Sequence, residues 1–293
     1  MIVVGCDGFS RNVAKYLGES HAELERKVFD DGELCPRLPD IPGKDVLIVS
    51  RIWKDPNSFL VEALLMARTL KEEGKNVFVF APYLPYTRQD KAFRKGEPAS
   101  LKYILEMLAA NVSGIFTVTS HHQRENETIK GPVTVHNING FEPLVEFIKE
   151  MGLDDPVIVG PDARMDNIAK SAAEALGTEN YVLSKERNLA TGEVRTQGGM
   201  EAQGRSVVII DDIVGSGRSM LNAATIAKRS GASRIICACV HPVFSLLSKD
   251  SWKLLLNVAD EIVATNTIES EFSRVKVEKY AAGKISVALQ KIH

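Results

Sequence analysis

Val207-Val208-Ile209-Ile210-Asp211-Asp212-Ile213-Val214-Gly215-Ser216-Gly217-Arg218-Ser219 is the stretch on which the fold turns. Four consecutive β-branched residues read as a buried strand. Two aspartates follow directly; acids are poor β-formers, so a pair at that point serves a site rather than the sheet. The Gly-Ser-Gly turn then opens a helix from about Ser219 to Ser230, ended by Gly231, whose first N–H groups lack partners and carry positive partial charge. Such an end suits a phosphate. Gly215 and Gly217 let the backbone come close, Ser216 and Ser219 add hydroxyl donors, and Asp211 and Asp212 are placed to accept from sugar hydroxyls.

A strand over Ile235 to Val240 completes the cassette, which runs into His241-Pro242. An earlier copy has the same order. Val46-Leu47-Ile48-Val49 reads as a strand, and Phe59, Ala63, Met66 and Leu70 recur at helical spacing, predicting a helix over Ser58 to Glu73 stopped by Gly74. Val77-Phe78-Val79-Phe80 is the next strand, and it too meets a proline, Ala81-Pro82. Strands alternating with amphipathic helices predict an α/β fold with mostly parallel sheets, and the repeated cassette predicts two related halves. The break falls between Asn139-Gly140 and Asp155-Pro156, around a helical stretch from Glu142 to Met151.

The chain has 293 residues, which at roughly 100–200 residues per domain fits two domains. Lys and Arg number 36 against 38 Asp and Glu, so no global basic field exists for nucleic acid or an anionic membrane, and any anion site is local. Cys6, Cys35, Cys237 and Cys239 include no C-x-x-C pair, which argues against a disulfide framework or zinc knuckle and for a reducing cytoplasm. The apolar start Met1-Ile2-Val3-Val4-Gly5 lacks a basic region and meets Asp7, so no signal peptide is expected. No apolar run approaches the ~18 residues of a membrane span.

The Val207–Ser219 segment resembles the phosphoribosyl diphosphate (PRPP) loop of type I phosphoribosyltransferases and of the ribose-phosphate pyrophosphokinase family. The resemblance implies two tandem phosphoribosyltransferase-like α/β domains and narrows the substrate to ribose 5-phosphate or its diphosphate. The loop alone serves transferase and kinase; other segments point to the kinase. Phe29-Asp30-Asp31-Gly32-Glu33 resembles the pyrophosphokinase pattern F-x-D-G-E, in which the second acid and the Glu contact adenine from a neighbouring subunit. Read alone, it is also a plain surface turn. Ala81 to Lys91 resembles P-Y-x-x-Y-x-R-Q-D-[RK], which implies that Arg88, Gln89 and Asp90 hold ATP, with the planar Arg fork gripping phosphate oxygens. Thr117-Val118-Thr119-Ser120-His121 resembles T-V-D-x-H, placing His121 against ATP and magnesium; the adjacent His122 has no counterpart there. Val157-Ile158-Val159-Gly160-Pro161-Asp162 resembles a strand followed by S-P-D, whose Asp supplies a hard oxygen to magnesium; Asp near the start of the helix carrying Met165, Ile168 and Ala172 is also common as a cap. Lys185-Glu186-Arg187 opens a polar stretch up to Gly204 and resembles K-x-R, two cations at the root of a catalytic loop that would neutralise charge on the transferred and leaving phosphates.

These separated motifs in family order imply the short archaeal-like form of the family, with residues 1–141 carrying the ATP-side motifs and 142–293 the PRPP and catalytic loops. The implied activity is ATP:ribose-5-phosphate diphosphotransfer, yielding PRPP and AMP. The implied partners are ATP, ribose 5-phosphate, Mg²⁺ and further copies of the chain. Lys185, Arg187 and His121 would be catalytic. Asp31, Gly32, Glu33, Arg88, Gln89 and Asp90 would bind ATP, and Arg187, Asp211, Asp212 and Gly215 to Ser219 the sugar phosphate. His121 and Asp162 would take the metal. The pattern departs from the family at Thr119 and Gly215, where acids are common, and at Arg218, where glycine is common. Two other readings are a non-catalytic family member that binds the same ligands, motivated by Thr119 and Gly215, and a nucleobase phosphoribosyltransferase.

Overall fold

Strands that are apolar along their whole length hold in a parallel sheet, where crossover helices cover both faces. The computed structural model describes residues 1–51, 55–121, 128–129, 131–187, 194–244 and 249–292, and both of its main sheets are of this kind. The chain forms two units, Met1–Asn139 with Val277–His293, and Gly140–Lys276.

The first unit contains β1 (Ile2–Gly5), α1 (Gly8–Leu17), β2 (Ser20–Glu23), a hairpin of β3 (Glu25–Val28) and β4 (Leu34–Arg37), β5 (Asp45–Val49), α2 (Pro56–Glu72) and β6 (Asn76–Ala81). It continues with α3 (Ser100–Ala109), β7 (Gly114–Val118), β8 (Thr128–Ile129) and β9 (Val135–Ile138). Its sheet runs β2-β1-β5-β6-β7-β9-β8, all parallel except β8. Leu47, Ile48, Phe78, Phe80, Phe116 and Met66 are fully buried in its core. Helix α2 begins two residues before the expected Ser58, because Asp55 accepts from the Asn57 N–H at 2.9 Å and Pro56 occupies the first helical position, where its missing N–H costs nothing.

The second unit contains α4 (Phe141–Glu150), β10 (Pro156–Gly160), a 3₁₀ turn (Ala163–Met165), α5 (Asp166–Leu176), β11 (Glu179–Val182) and a hairpin of β12 (Ser184–Arg187) and β13 (Val194–Gln197). Then come β14 (Ser206–Ile213), α6 (Arg218–Arg229), β15 (Arg234–His241), α7 (Lys249–Leu256), β16 (Glu261–Thr265) and β17 (Ser273–Val275). The sheet order is β11-β10-β14-β15-β16-β17, parallel throughout. The chain closes with α8 (Glu278–Gln290).

The elements repeat nearly one for one: strand, helix, strand, hairpin, strand, helix, strand, helix, two strands, then a final helix. The final helices are exchanged. Helix α4 follows the first set of strands and belongs to the second unit, where it packs on α5; α8 follows the second set and belongs to the first unit, where it packs on α1. There Asn12 Nδ2 donates to the buried Glu278 at 3.1 Å. The units are therefore not the contiguous spans 1–141 and 142–293. All four cysteines are free thiols. Among the described residues, no helix is long and apolar enough to cross a membrane.

Gly5 ends β1 where the chain turns sharply into α1; Asp7 caps that helix by accepting from the Ser10 N–H at 2.8 Å. A Cβ on Gly5 would lie 2.3 Å from Ser10 Cβ. Gly5→Ala is expected to destabilise the protein by about 1–3 kcal/mol through overpacking, read as a lower urea midpoint with an unchanged m-value.

Candidate functional site

An open parallel sheet leaves a crevice at the carboxyl ends of the two strands between which the strand order reverses. In the second unit those strands are β10 and β14. Two residues beyond β10, Asp162 caps the 3₁₀ turn, accepting from the Arg164 N–H at 3.1 Å. The turn packs close on the strand end, since a Cβ on Gly160 would lie 2.9 Å from Met165 Cβ. Beside it β14 does not stop at Ile210. The strand continues through Asp211 and Asp212 to Ile213, with Asp211 in register with Cys239 of β15, so the two acids lie within the sheet rather than in a loop after it. They are buried at 5% and 8% exposure. Each satisfies one carboxylate oxygen locally: Asp211 accepts from the Asp212 N–H at 2.9 Å, and Asp212 from the Ile213 N–H at 2.8 Å.

This crowding shows in the protonation chemistry. Burial, then the charge of Asp212 and its side-chain hydrogen bond, then the charge of Asp162, push the Asp211 carboxyl well above the usual aspartate range. Arg164 brings a cation to the cluster, with Nη2 3.2 Å from Asp162 Oδ2. Burial opposes its charge, but the bond to Asp162 and the fields of Asp162, Asp212 and Asp211 outweigh that and raise its pKa.

After β14 the loop is fastened on one side. The Val214 N–H donates to His241 O and the Phe244 N–H to Val214 O, both at 2.9 Å. Gly217 takes φ 73°, a conformation open to glycine, and as the N-cap of α6, which starts at Arg218, it offers no side chain. Ser216 Oγ accepts from the Arg218 N–H at 3.4 Å, and the Arg218 side chain is exposed. A helix start, a close-approach turn and two hydroxyls thus stand next to the buried acids, an arrangement suited to an anion on the helix end and hydroxyls on the carboxylates.

A buried polar network under this loop was not anticipated. His241 Nδ1 lies 2.9 Å from Thr267 Oγ1, while Thr265 and Thr267 donate to Val240 O at 2.7 and 2.9 Å. The available signal was the polar run Thr265-Asn266-Thr267 directly after the apolar strand residues Ile262 to Ala264. Arg164 was missed as well; it stands in a short turn with no periodic pattern.

Lys185 and Arg187 are placed by backbone alone, opposite Thr196 and Val194 in the β12–β13 ladder. Residues 188–193 and His122 lie outside the described residues. In the first unit, the Arg88 segment follows β6 and His121 follows β7, on the same edge of neighbouring strands, joined by a Val118 N–H to Pro82 O bond of 3.1 Å. Arg88, Gln89 and Asp90 are exposed; Gln89 is tied to the start of α3, its Oε1 accepting from Ser100 Oγ at 2.6 Å. His121 is half-buried, and Thr119 before it takes φ 39°, an uncommon conformation for a β-branched residue. Asp31, Gly32 and Glu33 form the exposed tip of the β3–β4 hairpin, where Asp31 Oδ1 accepts from the Glu33 N–H at 3.1 Å. That hairpin is pinned to α2 by a bidentate ion pair between Arg26 and the buried Glu62.

The sequence is 33% identical over 286 residues to a ribose-phosphate pyrophosphokinase of Sulfurisphaera tokodaii, covering 94% of this chain and 96% of that protein. The chain belongs to the ribose-phosphate pyrophosphokinase family. A Sulfolobus acidocaldarius member is 31% identical over 288 residues, again covering 94% of this chain and 96% of the relative. Residues 3–111 match the N-terminal domain of ribose phosphate pyrophosphokinase, and residues 167–292 the phosphoribosyl synthetase-associated domain. The fold agrees with the crystal structure of phosphoribosylpyrophosphate synthetase from Mycobacterium smegmatis, with a TM-score of 0.83 at 24% identity and 99% of each chain covered.

Among the described residues, no three His, Cys, Asp or Glu side chains converge to hold a metal ion. The carboxylates of Asp162, Asp211 and Asp212 at the β10–β14 edge are nonetheless hard oxygen donors of the kind that suit a cation taking one or two carboxylates and completing its shell with phosphate oxygens. Crowded buried carboxylates of this kind cost stability when ionised. A carboxyl whose pKa is higher folded than unfolded contributes stability at acid pH that is lost as pH rises through the folded value. Asp211→Asn is therefore expected to raise the unfolding free energy of the ligand-free protein at neutral pH. The difference should close as pH falls to the ordinary aspartate value of about 3.9, measured by urea unfolding across pH.

Proposed function

We propose that the chain is an ATP:ribose-5-phosphate diphosphotransferase, forming PRPP and AMP. The observation that carries this reading is the buried Asp211–Asp212 pair beside the start of α6, in a chain that aligns with named pyrophosphokinases along nearly its whole length. Asp211 and Asp212 accept from the ribose hydroxyls. Gly215, Ser216, Gly217 and Ser219, with the α6 N–H groups, receive the 5-phosphate, and Arg218 adds a cation beside it. Arg88, Gln89 and Asp90 bind ATP, the Arg88 fork gripping its phosphate oxygens, while Asp31, Gly32 and Glu33 reach the adenine of a neighbouring copy, which makes the working form a homo-oligomer. His121 in the first unit and Asp162 in the second would each offer a donor to Mg²⁺, which neutralises phosphate charge when bound.

The anomeric hydroxyl oxygen attacks the β-phosphorus of ATP, the bond from that phosphorus to the α,β-bridging oxygen breaks, AMP leaves, and the hydroxyl proton passes to solvent. Lys185 and Arg187 stabilise the charge that builds on the transferred and leaving phosphates. Positioning and charge neutralisation do most of the work in such a transfer. Free thiols fit a reducing cytoplasm as its place of action.

Incubation with ATP, ribose 5-phosphate and Mg²⁺ is expected to yield AMP and PRPP in equal amounts, with none when the sugar is omitted. Lys185→Ala should lower kcat by about 10²–10³-fold with little change in ligand affinity. Near-wild-type turnover would remove Lys185 from this role, and ATP binding without AMP release by folded wild-type protein would replace the enzyme by a regulatory ligand-binding homologue.

A further inference from the structure

The carboxylate cluster at the β10–β14 edge already contains a cation that belongs to none of the motifs. Arg164 engages both oxygens of Asp162, one through its backbone N–H at 3.1 Å and the other through Nη2 at 3.2 Å. Because β10 and β14 are paired neighbours, with Val159 beside Ile209, the same guanidinium lies in the field of Asp211 and Asp212. The two partners differ in freedom. Asp162 is 7% exposed and held by its capping bond, whereas the Arg164 side chain retains 58% exposure. A fixed carboxylate is thus paired with a cation on a long stem that reaches solvent.

A metal ion and a guanidinium compete for the same lone pairs. Magnesium takes a carboxylate oxygen directly and tolerates little distortion of its shell, so a donor N–H on that oxygen and a second positive charge beside it both oppose binding. We propose that Arg164 is a built-in counter-ion that holds the Asp162 carboxylate in the ligand-free protein and must release it before a divalent cation binds there. This rests on the assignment of Asp162 as a metal ligand. Its consequence is an order of events: the bare protein takes up metal weakly, and phosphate oxygens arriving with substrate give the displaced guanidinium a new partner. Arg164 is a positioning residue here, setting when the metal enters rather than touching the reacting atoms.

The test uses Mn²⁺ as the probe, its free fraction read by electron paramagnetic resonance with the full chain in the absence of nucleotide and sugar. Arg164→Ala and Arg164→Gln are each expected to bind Mn²⁺ about three- to fivefold more tightly than wild type, the scale of a partly exposed ion pair. Arg164→Lys, which keeps the charge, should stay near wild type. Adding Asp162→Asn to Arg164→Ala should abolish the gain. Unchanged or weaker Mn²⁺ binding in either neutral variant, with its melting temperature preserved, overturns the proposal. If wild type forms AMP but the neutral variants do not tighten, this inference alone falls. If they tighten and wild type forms no AMP, the counter-ion stands and the assigned activity falls.

Discussion

Two adjacent carboxylates at the end of a buried strand repel each other and have given up most of their water, and the second unit is arranged around that conflict. Burial alone disfavours the charged form of Asp211, and Asp212 and Asp162 deepen the effect. Local N–H donors satisfy one oxygen of each acid in the pair but bring no full charge. The surroundings add positive potential at the rim: the start of α6, Arg218 at its first position, and Arg164 from the neighbouring strand's turn. A polyanion carrying hydroxyls, with its cation, fits such a rim better than any neutral ligand.

The two units treat the same position in opposite ways. Gly5 and Gly160 each end the first strand of a unit, each is followed two residues later by an Asp that caps the next helical turn, and each permits close approach of a residue five positions on, Ser10 or Met165. In the first unit, Arg51 follows β5 and pairs with Asp7 at 2.9 Å over the face of Phe9, so the crevice between β1 and β5 is occupied by the protein's own ion pair. In the second, the corresponding strand β14 ends in acids. One duplicated framework thus gives a switch point with an arginine after its second strand and another with two acids in that strand, the capping Asp being paired with an arginine in both.

Much of this could be read from the residues. The apolar runs at Val46–Val49, Val77–Phe80 and Val207–Ile210 are strands, and α6 follows its Gly-Ser-Gly turn, because a parallel sheet demands continuous hydrophobicity and a helix start demands freedom in the backbone before it. What escaped depends on neighbours distant in sequence. The two aspartates were expected just past the strand, since propensity disfavours acids in one, yet pairing with β15 carries the ladder through them. His241 and Thr267 meet across 26 residues, and Arg164 acquires its meaning only from β14 lying beside β10. No local pattern encodes such proximity.

The exchange of terminal helices also limits how this chain can be taken apart. A cut in the segment between β9 and α4 looks like a clean domain boundary, but it separates the β1–β9 sheet from α8, the helix that buries one side of α1, and leaves α8 attached to the other fragment. Neither fragment is then a complete module. Recombination could not shuffle either half intact into another gene, and a ribosome that had released the first half would still be holding a piece of its core until the final residues emerged.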